Sequence, residues 1–381
     1  MDYSGRRGRL REQLGTAGLD ALLVTYLTNV RYLTGFTGSN GAVLVTADPA
    51  LDRLGTDFRY LTQSGLQSPD LELVLNRDCA AAMASYAREA GISRLGFEAD
   101  RLSVAAYDQL QTDQVGTTTS SGPGERPDPT APAGRQDALT LVRTAGLVEA
   151  LRTVKDADEL ALLAQACGIS DAALAQVCTE VRAGMTERQV ARRLDALMLD
   201  LGAEAISFDT IVAAGPNSAI PHHSPTDRPI AAGDLLKIDF GALCDGYHAD
   251  ETRTFVVGAE PAHWQREIYD LVAQAQLAGV AALAVGVDVR DVDHAARSII
   301  AAAGHAEHFG HGLGHGVGLD IHEAPTIGYA GTGNLADGTP VTVEPGVYLP
   351  GRGGVRIEDT LVVRAGGPES LTTTTRELLV L

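Results

Sequence analysis

The chain has 381 residues, enough for a sizeable core and about two domains. Its net charge of −19 repels nucleic acid and anionic membranes, so binding driven by phosphate contacts is excluded. With 45% hydrophobic and 21% charged residues the composition is globular rather than disordered. The first stretch, MDYSGRRGRLREQL, has arginines but no apolar run behind them, and reads as an amphipathic helix with Leu10 and Leu14 on one face. Short apolar runs at 21–24, 41–45, 71–75 and 94–97 predict buried strands, and the Ala-rich run 79–90 predicts a helix among them. Residues 116–137 carry prolines, glycines and almost nothing to bury, which marks a linker. Beyond it the spacing predicts helices over 155–182, from a Thr186 cap to about 201, over 262–284 and over 289–303. The last eighty residues are rich in glycine and in strand signals. This predicts a small α/β domain over 1–130 and a larger α+β domain over 140–381.

Cys79, Cys167, Cys178 and Cys244 are scattered, which argues against a disulfide framework or a zinc knuckle. No apolar run approaches the roughly 20 residues that span a bilayer, and the expected location is the cytoplasm.

Three segments carry chemistry. In DLLKIDFGALCDGYHADETRTFVV, Asp245-Gly246 is a favoured two-residue hairpin turn. Counting outward from it, Gly241 opposes Asp250 and Asp239 becomes the diagonal neighbour of Asp250, roughly 7–8 Å away at the backbone. Two ionised carboxylates that close repel unless a cation lies between them. The segment VTVEPGVYLPGRGGVRIEDTLVV repeats the device. A loop centred on Arg352 places Glu344 opposite Thr360, with Glu358 diagonal to it. Between the hairpins, HFGHGLGHGVGLDIHE holds His308, His311, His315 and His322 among five glycines. The glycines rule against a helical zinc motif and let backbone and ligand approach closely. Four carboxylates with imidazole form a hard, oxygen-rich set. It suits two divalent ions, Mn²⁺ foremost and Co²⁺, Zn²⁺ or Fe²⁺ as alternatives, because four negative charges exceed what one ion needs.

These motifs resemble the pita-bread metallopeptidases, specifically the Xaa-Pro peptidases, aminopeptidase P and prolidase. The matching words are IDFG at 238–241, DETRTF at 250–255, HGLGHGVGLDIHE at 311–323, VEPGVY at 343–348 and RIED at 356–359. NVRYLTGFTGSNG at 29–41 and TDFRY at 56–60 resemble the creatinase-like N-terminal domain of that family, and 148–163 resembles the helix that opens its catalytic domain. The resemblance implies a pita-bread catalytic domain of α+β class behind a smaller creatinase-like α/β domain. It implies that Asp239, Asp250, His315, Glu344 and Glu358 hold the metals, with Asp250 and Glu358 bridging. It makes His222 the substrate histidine near the leaving proline, with His223 as its rival, and His322 a second histidine beside the scissile bond. Glu344 would relay a proton, and His311 and Arg356 would line the substrate pocket.

The expected activity is removal of the N-terminal residue from peptides with proline second; the alternative is an Xaa-Pro dipeptidase. A strict dipeptidase must clamp the proline carboxylate. Arg356 is the candidate, but it adjoins a bridging ligand, and Arg59 and Arg31 are the substitutes. A methionine aminopeptidase would not need the first domain. A metal-free creatinase-like hydrolase or binding protein would have lost the ligand positions, and all five are filled here. Partners are proline-containing peptides and, by the habit of relatives, a second copy in a homodimer.

Overall fold

The structure is a computed structural model that describes residues 1–115 and 139–381, so the expected linker at 116–137 lies outside the described residues. The chain divides into two units, Met1–Arg152 and Thr153–Leu381.

In the first unit, helix α1 (Tyr3–Ala17) precedes β1 (Ala21–Val24), α2 (Leu27–Thr34), β2 (Gly41–Thr46), β3 (Arg53–Thr56), α3 (Leu61–Gln67), β4 (Glu72–Leu75), α4 (Cys79–Glu89), β5 (Arg94–Glu98), α5 (Val104–Val115), β6 (Thr140–Thr144) and α6 (Leu147–Thr153). The strands form one sheet in the order β4-β3-β2-β1-β5-β6, with parallel β3–β4, β1–β5 and β5–β6 pairs. The strands at 21–24, 41–46, 72–75 and 94–98 match the apolar runs in the sequence. Strand β3, RLGT, was too short and too polar to announce itself. Strand β6 pairs with β5 across the linker, so residues 140–152 go with the first unit, whereas the sequence reading placed them in the second. A strand whose partner lies forty-six residues back carries no local sign of where it will dock.

The second unit runs α7 (Ala157–Glu180), α8 (Glu187–Asp200), β7 (Ala205–Ile206), β8 (Ile211–Ala214), β9 (Leu235–Phe240), β10 (Ala242–Cys244), β11 (Tyr247–His248), β12 (Glu251–Val256), α9 (His263–Ala282), α10 (Val289–Ala302), β13 (Gly314–Gly316), β14 (Glu323–Ile327), β15 (Pro340–Val343), β16 (Gly346–Leu349), β17 (Gly353–Arg356), β18 (Asp359–Val362) and β19 (Glu369–Ser370). Helix α7 opens with a capping box: Asp156 accepts from Glu159 N at 2.9 Å, and the Glu159 carboxylate accepts from Asp156 N at 3.0 Å. Thr186 and Gln189 repeat it at α8. Two helix pairs cover the strands. Leu174, Val177, Leu194 and Met198 of α7 and α8 pack on Val212, Ile238 and Phe255, while Val272, Val292 and Ile300 of α9 and α10 pack on Val343, Val355 and Leu361. Each such buried side chain stabilises the fold by roughly 1.5–3 kcal/mol before entropy is counted. Helix α7 is long and apolar enough to cross a membrane by length and composition, which the sequence reading missed because Asp158, Glu159, Asp171 and Glu180 interrupt the run. Its Leu163, Ala166, Cys167, Ala173, Leu174 and Val177 are buried within the unit, as in a core helix.

Candidate active site

Strands β9 and β12 are joined through Asp245-Gly246, whose φ angles of 44° and 75° are those of a hairpin turn with both central residues left-handed. The ladder pairs Glu251 with Phe240, Thr252 with Asp239 and Arg253 with Ile238, which is the register counted from that turn. Asp239 and Asp250 both lie on buried backbone and line one cavity of about 310 Å³.

The second hairpin departs from expectation. Thr342 pairs with Thr360, Val343 with Asp359, and Gly346 with Arg356. Continuing that count brings Glu344 level with Glu358 rather than with Thr360. The cause is the turn. Arg352 N donates to Leu349 O at 2.9 Å, with Pro350 and Gly351 between them, and Gly351 has φ of 74°. Proline at the second and glycine at the third position of a tight turn move its centre one residue back from Arg352. The ladder therefore slips by two, and the side chains stay on the intended face because the slip is even. Thr252 Oγ1 donates to Glu358 Oε2 at 2.6 Å, and Glu358 N donates to Thr252 O at 3.1 Å, which ties the two hairpins together.

His315 lies on β13, flanked by β14 and β15. The neighbouring glycines are needed for close packing: a Cβ on Gly316 would meet Ala324 O at 2.2 Å. The His315 Nδ1 is 3.0 Å from Gly316 O, which holds the proton on Nδ1 and leaves the Nε2 lone pair facing Asp250 and Glu344, each at 3.5 Å. Burial pushes the imidazole down to a pKa of about 4, so it is neutral at pH 7, as a metal ligand must be. Ligand atoms of Asp250, His315 and Glu358 all lie within 4.8 Å of one another. Glu344 and Asp239 line the same cavity. Asp239 Oδ1 is buried with no partner, while Oδ2 accepts from Arg356 Nη2. Burial raises Asp250, Glu358 and Glu344, the last to about 8; neighbouring carboxylates raise the first two further, while at Glu344 Arg356 opposes the shift and Asp239 adds to it. Buried carboxylates with an orphaned oxygen and a lone pair aimed among them fit divalent cations, and these five residues would hold them.

Around this cluster, His222 is exposed and borders both the 310 Å³ cavity and an adjoining one of about 780 Å³. His322 borders both as well, its ring 4.4 Å from that of His315 in an edge-on contact. His223 is buried, with Nε2 2.8 Å from Glu187 Oε2. That carboxylate also accepts from Thr226 Oγ1, Asn217 Nδ2 and Ala214 N. The adjacent histidines thus divide, one outward and one inward. His311 Nδ1 donates to Gly312 O at 2.8 Å, and its Nε2 lies 2.9 Å from Tyr348 Oη. His308 faces His305 at 3.1 Å and does not line the cavities. Arg356 borders the larger cavity, but its guanidinium is engaged by Asp239, Thr252 Oγ1 at 3.0 Å, Tyr348 Oη at 2.8 Å and Pro221 O at 3.3 Å. It is therefore not a free clamp for a substrate carboxylate. Arg59 is bound to Asp57 by two bonds of 2.8 and 2.7 Å. The sequence reading overlooked Thr252, Tyr348 and Glu187. Tyr348 and Thr252 stand inside the quoted words VEPGVY and DETRTF, whereas Glu187 reads locally as nothing more than the first residue of a helix.

Comparison with known proteins agrees with this geometry. Residues 161–365 match the model of metallopeptidase family M24, and residues 6–121 match the creatinase/prolidase N-terminal domain. The chain is 45% identical over 233 residues to an Xaa-Pro dipeptidase of Pyrococcus furiosus, covering 61% of this chain and 67% of that one. Among solved structures, an Xaa-Pro dipeptidase from Bacillus anthracis superposes with a TM-score of 0.89 at 37% identity over 100% of both chains. An X-Pro aminopeptidase from Thermotoga maritima superposes with a TM-score of 0.86 at 32% identity over 98% of this chain and 99% of that one. The fold is thus the expected one, a pita-bread domain behind a creatinase-like domain.

Proposed function

Because the chain belongs to metallopeptidase family M24, we propose that it is an Xaa-Pro dipeptidase that works with two divalent ions, Mn²⁺ in first place. The observation that carries the chemistry is a single cavity lined by Asp239, Asp250, His315, Glu344 and Glu358, with His222 and His322 on its rim. The sequence reading put the aminopeptidase first. The full-length similarity to a protein described as an Xaa-Pro dipeptidase supports the alternative instead. The aminopeptidase remains the second reading, favoured by the Thermotoga maritima structure.

Ions held by these carboxylates supply Lewis acidity and an acidified water at neutral pH. The chain's own residues do the rest. An Xaa-Pro bond is a tertiary amide, so the departing proline nitrogen needs a proton. His222, exposed on the rim, is placed to deliver it. His322 is lowered by burial and then by His222, so it meets the substrate as a neutral donor at pH 7. Glu344, half-buried and raised by burial, is suited to hold a proton in transit.

The test is product analysis on an Xaa-Pro dipeptide, an Xaa-Pro-Xaa tripeptide and a longer Xaa-Pro peptide, with Xaa-Ala controls. Cleavage of the dipeptide alone supports the proposal. Release of the first residue from the longer peptides restores the aminopeptidase, and equal cleavage of Xaa-Ala removes proline specificity.

A further inference from the structure

Lys237 is fully buried in β9, two residues before Asp239 and therefore on the same face of the strand. Its strand neighbours Leu235, Leu236, Ile238 and Phe240 are apolar and buried, so an aliphatic residue would serve the sheet at this position. Burying a lysine head group is unfavourable unless its donors are met, and no ion pair reaches this one among the described residues. What it has is a segment of backbone. Nζ donates to Ile220 O at 2.6 Å and to Pro221 O at 3.2 Å, and lies 5.0 Å over the Tyr348 ring. The next residue is His222.

We propose that Lys237 is a positioning residue whose buried amino group, together with Arg356, holds the 220–221 carbonyls against the strand that carries Asp239 and so sets where the His222 imidazole meets the substrate. Arg356 Nη1 donates to the same Pro221 O at 3.3 Å and to Tyr348 Oη at 2.8 Å, while its Nη2 binds Asp239. On the far side His223 is anchored to Glu187. The segment is therefore gripped at Ile220, Pro221 and His223, and His222 is left facing both cavities. Tyr348 Oη also meets His311 Nε2, so the same clamp reaches the wall of the larger cavity. The device couples a proton-delivering side chain to a metal-ligand strand through main-chain carbonyls, which any substitution at 220 or 221 would preserve.

The inference rests on the reading of His222 as the residue that serves the leaving nitrogen, and the test separates the two. Lys237→Met and Lys237→Gln are made in the full chain, alone and with His222→Ala, and loaded with Mn²⁺. Lys237→Met should lower kcat on an Xaa-Pro dipeptide on the order of 10-fold to 10²-fold, the cost of misplacing a reacting group. KM should stay within about 3-fold, since substrate contacts remain, and metal content should be unchanged. Lys237→Gln keeps a donor and should recover part of the loss. In the His222→Ala background the further loss from Lys237→Met should be under about 2-fold, because coupled positions are not additive. In metal-free protein, amide exchange over 216–224 should quicken in Lys237→Met. Equal losses in both backgrounds, or unchanged exchange, would overturn the proposal. A wild type that cleaves no Xaa-Pro bond would sink the functional reading instead, and the exchange measurement, which needs no substrate, then decides whether Lys237 holds the segment. If Lys237→Met is insoluble, Lys237→Gln carries the same comparison.

Discussion

Both units bury carboxylates, and Glu98 of the first and the cavity acids of the second are treated in opposite ways. In the first, Glu98 is 5% exposed and burial raises it, yet its oxygens are met. Oε2 accepts from Thr25 N at 2.7 Å and Tyr26 N at 2.8 Å, and Oε1 accepts from Asn29 Nδ2 at 2.7 Å. In the cavity of the second unit, one Asp239 oxygen is buried without a partner, and Asp250 Oδ2 lies 3.5 Å from His315 Nε2. There the neighbours that matter are other carboxylates. A buried acid with donors around it is part of the scaffold. Buried acids crowded on one another, with an imidazole lone pair aimed among them, are held for a cation.

The sharpest way to break that contrast is to remove an acid from each group. Asp250→Ala or Glu358→Ala should lower kcat/KM by more than the roughly 10–100-fold that loss of an outer partner of a metal ligand costs. Bound metal per chain, read by elemental analysis, should fall with it, and Glu98→Gln should change neither.

Next in size are the paired histidines. His222→Ala should cost turnover roughly 10²-fold, the scale for an acid/base group, with metal retained. His223→Ala should act on stability instead. It strips one partner from buried Glu187, which costs about 1–3 kcal/mol and shows as a lower denaturation midpoint.

A pH series sharpens the comparison further. Glu344 is raised in the folded state, so its contribution to stability is present below the ordinary carboxylate range and is lost as pH rises towards about 8. Metal-free protein should therefore weaken over that window when urea midpoints are measured, and protein loaded with Mn²⁺ should not, because the ions compensate the ionised forms. The smallest effect expected is that of Glu98→Gln. An amide cannot accept with both ends, so the Asn29 Nδ2 bond is lost at a cost of about 0.5–1.5 kcal/mol of stability, and peptidase activity stays.

Much of the site was legible because hairpins and histidine-glycine runs are local. Asp245-Gly246 specifies its own turn, and from it the ladder that pairs Thr252 with Asp239 can be counted. The second turn could not be counted as safely. Pro350, Gly351, Arg352, Gly353 and Gly354 offer several centres, and the ladder that formed is two residues away from the one expected. The domain boundary failed for a related reason, since β6 finds its partner across a stretch that carries no pattern.

From the sequence alone came the residue types, their order and the periodicity. Those determined the helices, the α+β class and which acids and histidines were candidates. Only the tertiary structure decided which of them meet. His222 and His223 are equivalent to any local rule, and what separates them is a carboxylate thirty-six residues away at the start of a helix. Arg356 reads as a clamp until Asp239, Thr252 and Tyr348 are seen to engage it. Lys237 reads as one polar residue in an apolar strand until Ile220 and Pro221 are found at its head. In each case the deciding partner is distant along the chain, and burial, which makes every unmet charge costly, is a property of the packed molecule and not of any segment of it.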